Sequence, residues 1–343
     1  MKMRNNMKYK ENSKKNKTFT RDFWWCLLVF IALIGAICYL PTYFTESERY
    51  NFNKDTGIIG DTIGGIMGPF VAIAAAILTF LAFWVQFKAN EQLRNDISVE
   101  RFESKFYKLL DIHIQNVNSI KIDDKKGRDA FKYLTGIYFY MYDIIQKIYK
   151  DNSHVDNPTN EQREMLTRMT YGFFFYGEKF VYHSFTSTEE NYLYEEIKKK
   201  LSIINSSISY NIIDGYNTYL GHYYRNLFQI VDFVANYNEN LIDEKQKYGY
   251  VKMVRAQLSD YEQIMLYYNS ISDAGKKWNT IKDSKSNLPQ AKMGYIARFK
   301  LIKNIPFDSL IGLWPNLKYK DEIDVYQSLG ERFFEHNFIK CTL

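Results

Sequence analysis

Five side chains carry the ingredients of acid–base and anion chemistry: His113, His222, Arg225, Arg255 and Glu262. Brought together, they would supply a general acid, a general base and a cationic clamp, a set able to cleave a phosphodiester or hold a nucleotide. The same residues also have a plain structural reading. Arg255 and Glu262 would form interhelical ion pairs and His113 would be a hydrogen-bonded core histidine, and in a helical bundle that reading carries more weight. Neither His-Glu-x-x-His nor paired Cys-x-x-Cys occurs and the five His are scattered, so no metal and no cofactor is expected. No Walker lysine follows a Gly-rich loop, and there is no Gly-x-Ser-x-Gly elbow.

Helices must position these groups. After Gly249 the residues Val251, Val254, Leu258, Tyr261, Met265 and Tyr268 step by three and four, which predicts one helix over 245–271. Beside that seam Arg255, Ser259, Glu262 and Asn269 form a polar stripe. A second helix over 216–238 has the seam Leu220, Tyr223, Leu227, Val231 and Val234, flanked by His222, Arg225, Asn226, Gln229 and Asp232. Phe102, Phe106, Leu109, Leu110, His113 and Val117 share one face of a stretch that runs straight on from an uncharged segment. Further helices are predicted at about 128–150, 159–184, 188–204, 290–304 and 320–337, with breaks at 123–127, 151–158, 211–215, 272–289 and 306–315. No strand-length alternation competes. Residues 88–343 therefore read as an all-α, multi-helix domain.

Upstream the pattern changes. Residues 23–45 and 62–87 contain no Asp, Glu, Lys, Arg or His. Each is long enough to cross a hydrocarbon core of about 30 Å, for which about 20 apolar residues suffice. They predict a two-helix transmembrane hairpin joined by a short external loop, 46–61. The basic tail, 1–22, holds Lys2, Arg4, Lys8, Lys10, Lys14, Lys15, Lys17 and Arg21, whereas the loop holds only Arg49 and Lys54. Lys and Arg resist translocation, so both termini are placed in the cytoplasm and the chain in the cell membrane as a multi-pass protein. Its first partner is then a bilayer with anionic headgroups. Gly60, Gly64, Gly68, Ala72 and Ala76 recur every fourth residue, a ridge of small side chains that lets another helix approach closely. The other helix could be the first span or a second copy of the chain.

Charge and composition narrow the classes further. The 343 residues carry a net charge of +6, but the basic tail accounts for it. The body is almost neutral, which argues against nucleic acid as a partner, because phosphate neutralisation supplies most of that affinity. A mean hydropathy of −0.37 excludes a polytopic transporter. Cys26, Cys38 and Cys341 leave no pair to staple the body, as suits a reducing compartment.

Several segments together resemble a known family. They are Gly60-Asp61-Thr62-Ile63-Gly64-Gly65, the Phe106 to His113 stretch, Gly127-Arg128-Asp129-Ala130-Phe131, His222-Tyr223-Tyr224-Arg225-Asn226-Leu227 and Arg255-Ala256-Gln257-Leu258-Ser259-Asp260-Tyr261-Glu262 followed by Asn269. In these the chain is similar to the phage abortive-infection family typified by the lactococcal AbiC protein. The resemblance implies a bacterial antiviral role that arrests phage multiplication, and the expectation is a membrane-anchored protein whose cytoplasmic helical domain senses or binds a phage or host component and so blocks that multiplication. It brings no catalytic residues with it. A membrane-bound nuclease or nucleotide hydrolase using the His/Arg/Glu stripes is the alternative expectation.

Overall fold

A computed structural model describes residues 56–181, 188–206, 213–280 and 288–335, together with Trp25, Leu28, Ile31, Ala32, Ile34, Gly35, Tyr39 and Tyr43. The described chain is mostly helical. The basic tail, most of the first predicted span and residues 46–55 of the predicted external loop lie outside the described residues; residues 56–61 of that loop are instead the first turns of a helix. The eight described residues of that span are all helical and exposed.

The chain divides into two compact units, 1–96 and 97–343. In the first unit, one helix among the described residues is long and apolar enough to cross a membrane. Its most apolar window has a mean hydropathy of 2.3, and 6% of that window is buried. A core helix of that composition would be covered, since water-exposed apolar area costs roughly 25 cal/mol per Å². Phe70, Ile73, Phe80 and Phe83 are instead exposed. So is the ridge of Gly60, Gly64, Gly68, Ala72 and Ala76. A Cβ added at any of those three glycines meets no described atom within 4 Å.

Helix α1 covers Thr56–Ser119 without interruption, as the unbroken apolar-to-amphipathic run predicts. In the second unit its Phe102, Phe106, His113 and Val117 are buried, which matches the predicted face. A two-residue hairpin follows, β1 (Lys121–Ile122) pairing antiparallel with β2 (Lys125–Lys126) around Asp123 in the left-handed region. Then come α2 (Arg128–Ser153), α3 (Asn160–Tyr176), α4 (Thr188–Ser206), α5 (Asn217–Ala235), α6 (Glu244–Arg255), α7 (Asp260–Ile271), α8 (Tyr295–Phe299), α9 (Pro315–Lys318) and α10 (Lys320–Ser328).

Helix α7 is the axis of the core. Every residue from Glu262 to Ile271 is buried, with α2 and α3 packed on it. A helix buried all round must find partners for its polar atoms inside the protein. The Tyr267 hydroxyl donates to the Leu313 carbonyl at 2.7 Å, and the Tyr268 hydroxyl to the Ile311 carbonyl at 2.9 Å.

Four helix expectations need correction, and the first is the helix over 159–184, which ends at Tyr176 where Gly177 takes φ 60. The helix expected over 245–271 is two helices, broken at 256–259. The apolar seam runs through the break, but Ser259 is extended and its hydroxyl accepts the Glu262 N–H, while Glu262 reaches back to the Ser259 N–H. This reciprocal cap starts a new helix. The helix expected over 290–304 shrinks to Tyr295–Phe299, because Lys300 turns left-handed at φ 51. Tertiary contacts hold that turn: Arg255 donates to the Phe299 and Lys300 carbonyls at 3.3 and 2.9 Å, and the Lys300 ammonium bonds Glu331 at 2.9 Å. The helix expected over 320–337 ends at Ser328, where Gly330 takes a positive φ.

Candidate functional site

The residues singled out by chemistry separate into two settings. His222 and Arg225 are exposed on α5 and bond only each other among the described residues, at 3.3 Å from Arg225 Nη2 to His222 Nδ1. Arg255 and Glu262 are buried. Arg255 is occupied by the two carbonyls of the Lys300 turn and lies over the Tyr248 ring at 5.9 Å. Among the described residues, neither His222 nor Arg225 makes a hydrogen bond or ion pair with Arg255 or Glu262.

The rest of the quoted Arg255 to Glu262 segment forms the corner between α6 and α7. Ala256 ends α6 through its N–H to the Lys252 carbonyl at 3.0 Å. Leu258 is buried, and its N–H bonds the Arg255 carbonyl at 3.0 Å. Gln257 is half-buried with its carbonyl turned to Arg128, and Ser259 is the cap. Asn269 lies further along α7 and donates to the Tyr171 hydroxyl at 3.1 Å.

A polar chain does gather around Glu262. Its carboxylate is fully buried and accepts the Ser259 N–H at 2.8 Å, the Ser259 hydroxyl at 2.7 Å and the Tyr223 hydroxyl at 3.2 Å. Arg128 Nε stands 3.7 Å away, and the Arg128 guanidinium also donates to the Gln257 carbonyl at 2.9 Å. Burial raises the Glu262 carboxyl above the usual range, opposed by the Ser259 bonds, the Arg128 charge and the Tyr223 hydroxyl. Burial first, and the Glu262 carboxylate second, push the Tyr223 hydroxyl well above 10, so it stays a donor.

His113 completes the arrangement from α1. Its ring packs on that of Tyr223, with centroids 5.0 Å apart. It is 1% exposed, and neither ring nitrogen has a hydrogen-bond partner. Burial lowers its pKa to about 4, so the imidazole is neutral at physiological pH. The expectation of a hydrogen-bonded core histidine holds for burial and fails for bonding. His113 lines a cleft of about 590 Å³ that also involves Lys126, Gly127, Arg128 and Gln257. Gly127 carries φ 60 and ψ −127, a region that suits glycine, and the turn it makes delivers Arg128 to the start of α2.

Residue types alone did not place Lys126, Arg128, Tyr223 or Gln257 in a candidate site. Tyr223 was legible as a seam residue and as part of the His222 to Leu227 segment. The signal that existed was the Gly127-Arg128 pair at the start of a helix with no Ser, Thr, Asp or Asn ahead of it as a cap.

The second unit is thus a helical domain with a buried, hydrogen-bonded polar junction that borders an open cleft. Residues 215–310 match the family described as "putative phage abortive infection protein". The match covers less than half of the chain and supports that family for it. It contains Tyr223, Arg255, Gln257 and Glu262, while His113, Lys126 and Arg128 lie outside it. Neither a curated protein nor a solved structure matches the chain.

Proposed function

We propose that this chain is a membrane-anchored antiphage defence protein. Its cytoplasmic helical domain binds a phage or host component and blocks phage multiplication. The observation that carries the reading is the family match over residues 215–310. The anchor is supported by the apolar, uncovered part of α1 together with the uncharged stretch at 23–45. The cation distribution supports a cytoplasmic side for both termini and anionic headgroups as neighbours of the basic tail. A binding role is favoured over the nuclease or nucleotide hydrolase alternative because Arg255 and Glu262 are taken up by structural bonds, while His222 and Arg225 stand apart on the surface.

Two experiments test it. Cells carrying the gene are expected to form fewer plaques than cells without it across a panel of phages, and a chain lacking residues 1–87 is expected to lose that protection while keeping a helical circular-dichroism spectrum. Equal plaque numbers refute the defence role; full protection by the truncated chain refutes the anchor.

The exposed ridge adds an assembly component, in which a second copy packs along Gly60, Gly64, Gly68, Ala72 and Ala76. Gly64→Leu is expected to convert a detergent-extracted oligomer into a smaller species by light scattering. An unchanged mass assigns the ridge to packing within one chain.

A further inference from the structure

We propose that the cleft bordered by α1, the β1–β2 hairpin and the α6–α7 corner binds a small phosphate-bearing molecule. The inference concerns binding alone and stands whether or not the chain protects against phage.

Four independent features converge there. The first is His113, which is 1% exposed, lines the cleft and leaves both ring nitrogens without a partner. A buried polar atom left unpaired costs on the order of 1–3 kcal/mol. A ligand that accepts the ring N–H removes that cost. The second is the start of α2. Its N-cap is Gly127, which has no side chain to cap the first turn. The Ala130 N–H is taken by the Gly127 carbonyl at 3.1 Å, and the N–H groups of Arg128 and Asp129, together with the positive end of a 26-residue helix dipole, favour an anion.

The third feature is cationic. Lys126 and Arg128 both line the cleft. Arg128 is held in place by the Gln257 carbonyl at 2.9 Å and by Glu262 at 3.7 Å, so little side-chain entropy remains to be lost when it takes a ligand. Asp129 lies in the same first helical turn and offsets part of this positive charge, but it is not among the residues lining the cleft. The fourth is size. About 590 Å³ falls within the range of small-molecule sites and far exceeds one phosphate ion. Ile114 and Val117 give the same cleft an apolar wall for an organic portion. Two cations, backbone donors and a neutral imidazole donor suit the several oxygens and the double charge of a phosphate ester better than a single carboxylate.

The test uses the full chain in dodecyl maltoside micelles, which contain no phosphate. Calorimetric titrations are run with inorganic phosphate, AMP, glycerol 1-phosphate and, as an uncharged control, adenosine. At least one phosphate compound is expected to saturate, with AMP binding at least about tenfold more tightly than adenosine. Lys126→Gln and Arg128→Gln are each expected to weaken binding by about fivefold to tenfold, the loss of one charge-assisted contact. Lys126 is exposed and its side chain makes no hydrogen bond or ion pair among the described residues, so its variant remains informative even if Arg128→Gln loosens the fold. A preference for AMP over glycerol 1-phosphate identifies a soluble nucleotide as the source, and the reverse identifies a lipid headgroup; both sustain the proposal. It is overturned if none of the three phosphates saturates below about 10 mM, if adenosine binds as tightly as AMP, or if both variants bind like the parent.

Discussion

Glu262→Ala is expected to lower the thermal midpoint of the helical domain by on the order of 10 °C, whereas Glu262→Gln leaves it nearly unchanged. The alanine variant removes the back-reaching half of the α7 cap, frees the Ser259 N–H and leaves the Tyr223 hydroxyl without an acceptor, all in a fully buried setting. Loss of one member of a buried, bonded charge set costs about 3–5 kcal/mol. In a domain of this size that corresponds to roughly 2–4 °C per kcal/mol. Glutamine also serves as the third residue of a capping box, and its amide can exchange bonds with both Ser259 and Tyr223. It sacrifices only the Arg128 attraction, and that loss is offset by no longer burying a charge that the site disfavours. Differential scanning fluorimetry on the purified full chain decides the matter. Equal destabilisation by both variants would mean that the charge, not the cap, holds the junction. Two stable variants that both lose phage protection would return Glu262 to a chemical role.

The second large effect is acid sensitivity through His113. In the unfolded chain this imidazole takes up a proton near its ordinary pKa of 6.5, but in the folded protein it does so only near 4. The folded state therefore holds fewer protons between those values, and stability rises with pH through that window. The contribution is fully present above pH 6.5 and is lost as pH falls toward 4. At about 1.4 kcal/mol per unit, the loss is on the order of 3 kcal/mol. The groups around the ring agree in sign: Tyr223 packs against it as a neutral phenol, and Lys126 and Arg128 across the cleft disfavour a further positive charge. Glu262 acts oppositely, since its raised pKa removes stability as pH climbs above the usual carboxylate range. Comparing the parent with His113→Phe cancels that term. Phenylalanine keeps a ring against Tyr223 and cannot titrate. The parent is expected to lose about 3 kcal/mol more than the variant between pH 7 and pH 4, read by urea unfolding in phosphate-free buffer. Parallel curves would refute the buried, neutral imidazole.

Local signals were enough for most of the helical body. The stretch from Arg128 to Ser153 and that from Thr188 to Ser206 follow from 3.6-residue periodicity and from breakers at their ends. So does the run of α1 out of its apolar segment into the face of Phe102, Phe106 and His113. Where a helix ends was less accessible. The Ser259-x-x-Glu262 cap stood in the sequence, but the apolar seam continued in register across it, and the seam suggested a single helix. At Lys300 the sequence carries no stop signal at all. The turn is held by Arg255, 45 residues away, and by Glu331, 31 residues away.

By itself the sequence determined an almost wholly helical body, a near-neutral charge on that body and two uncharged stretches ahead of it, because periodicity, composition and charge are properties of neighbouring residues. Only the tertiary structure decided which polar groups meet. Tyr223 and Glu262 are 39 residues apart, and Arg128 and Gln257 are 129 apart. Spacing along one helix places a side chain on a face, but it cannot say which other face it will oppose. Packing around α7 made that choice, drawing Glu262 and Arg255 into structural bonds and setting His113 unbonded at the edge of a cleft.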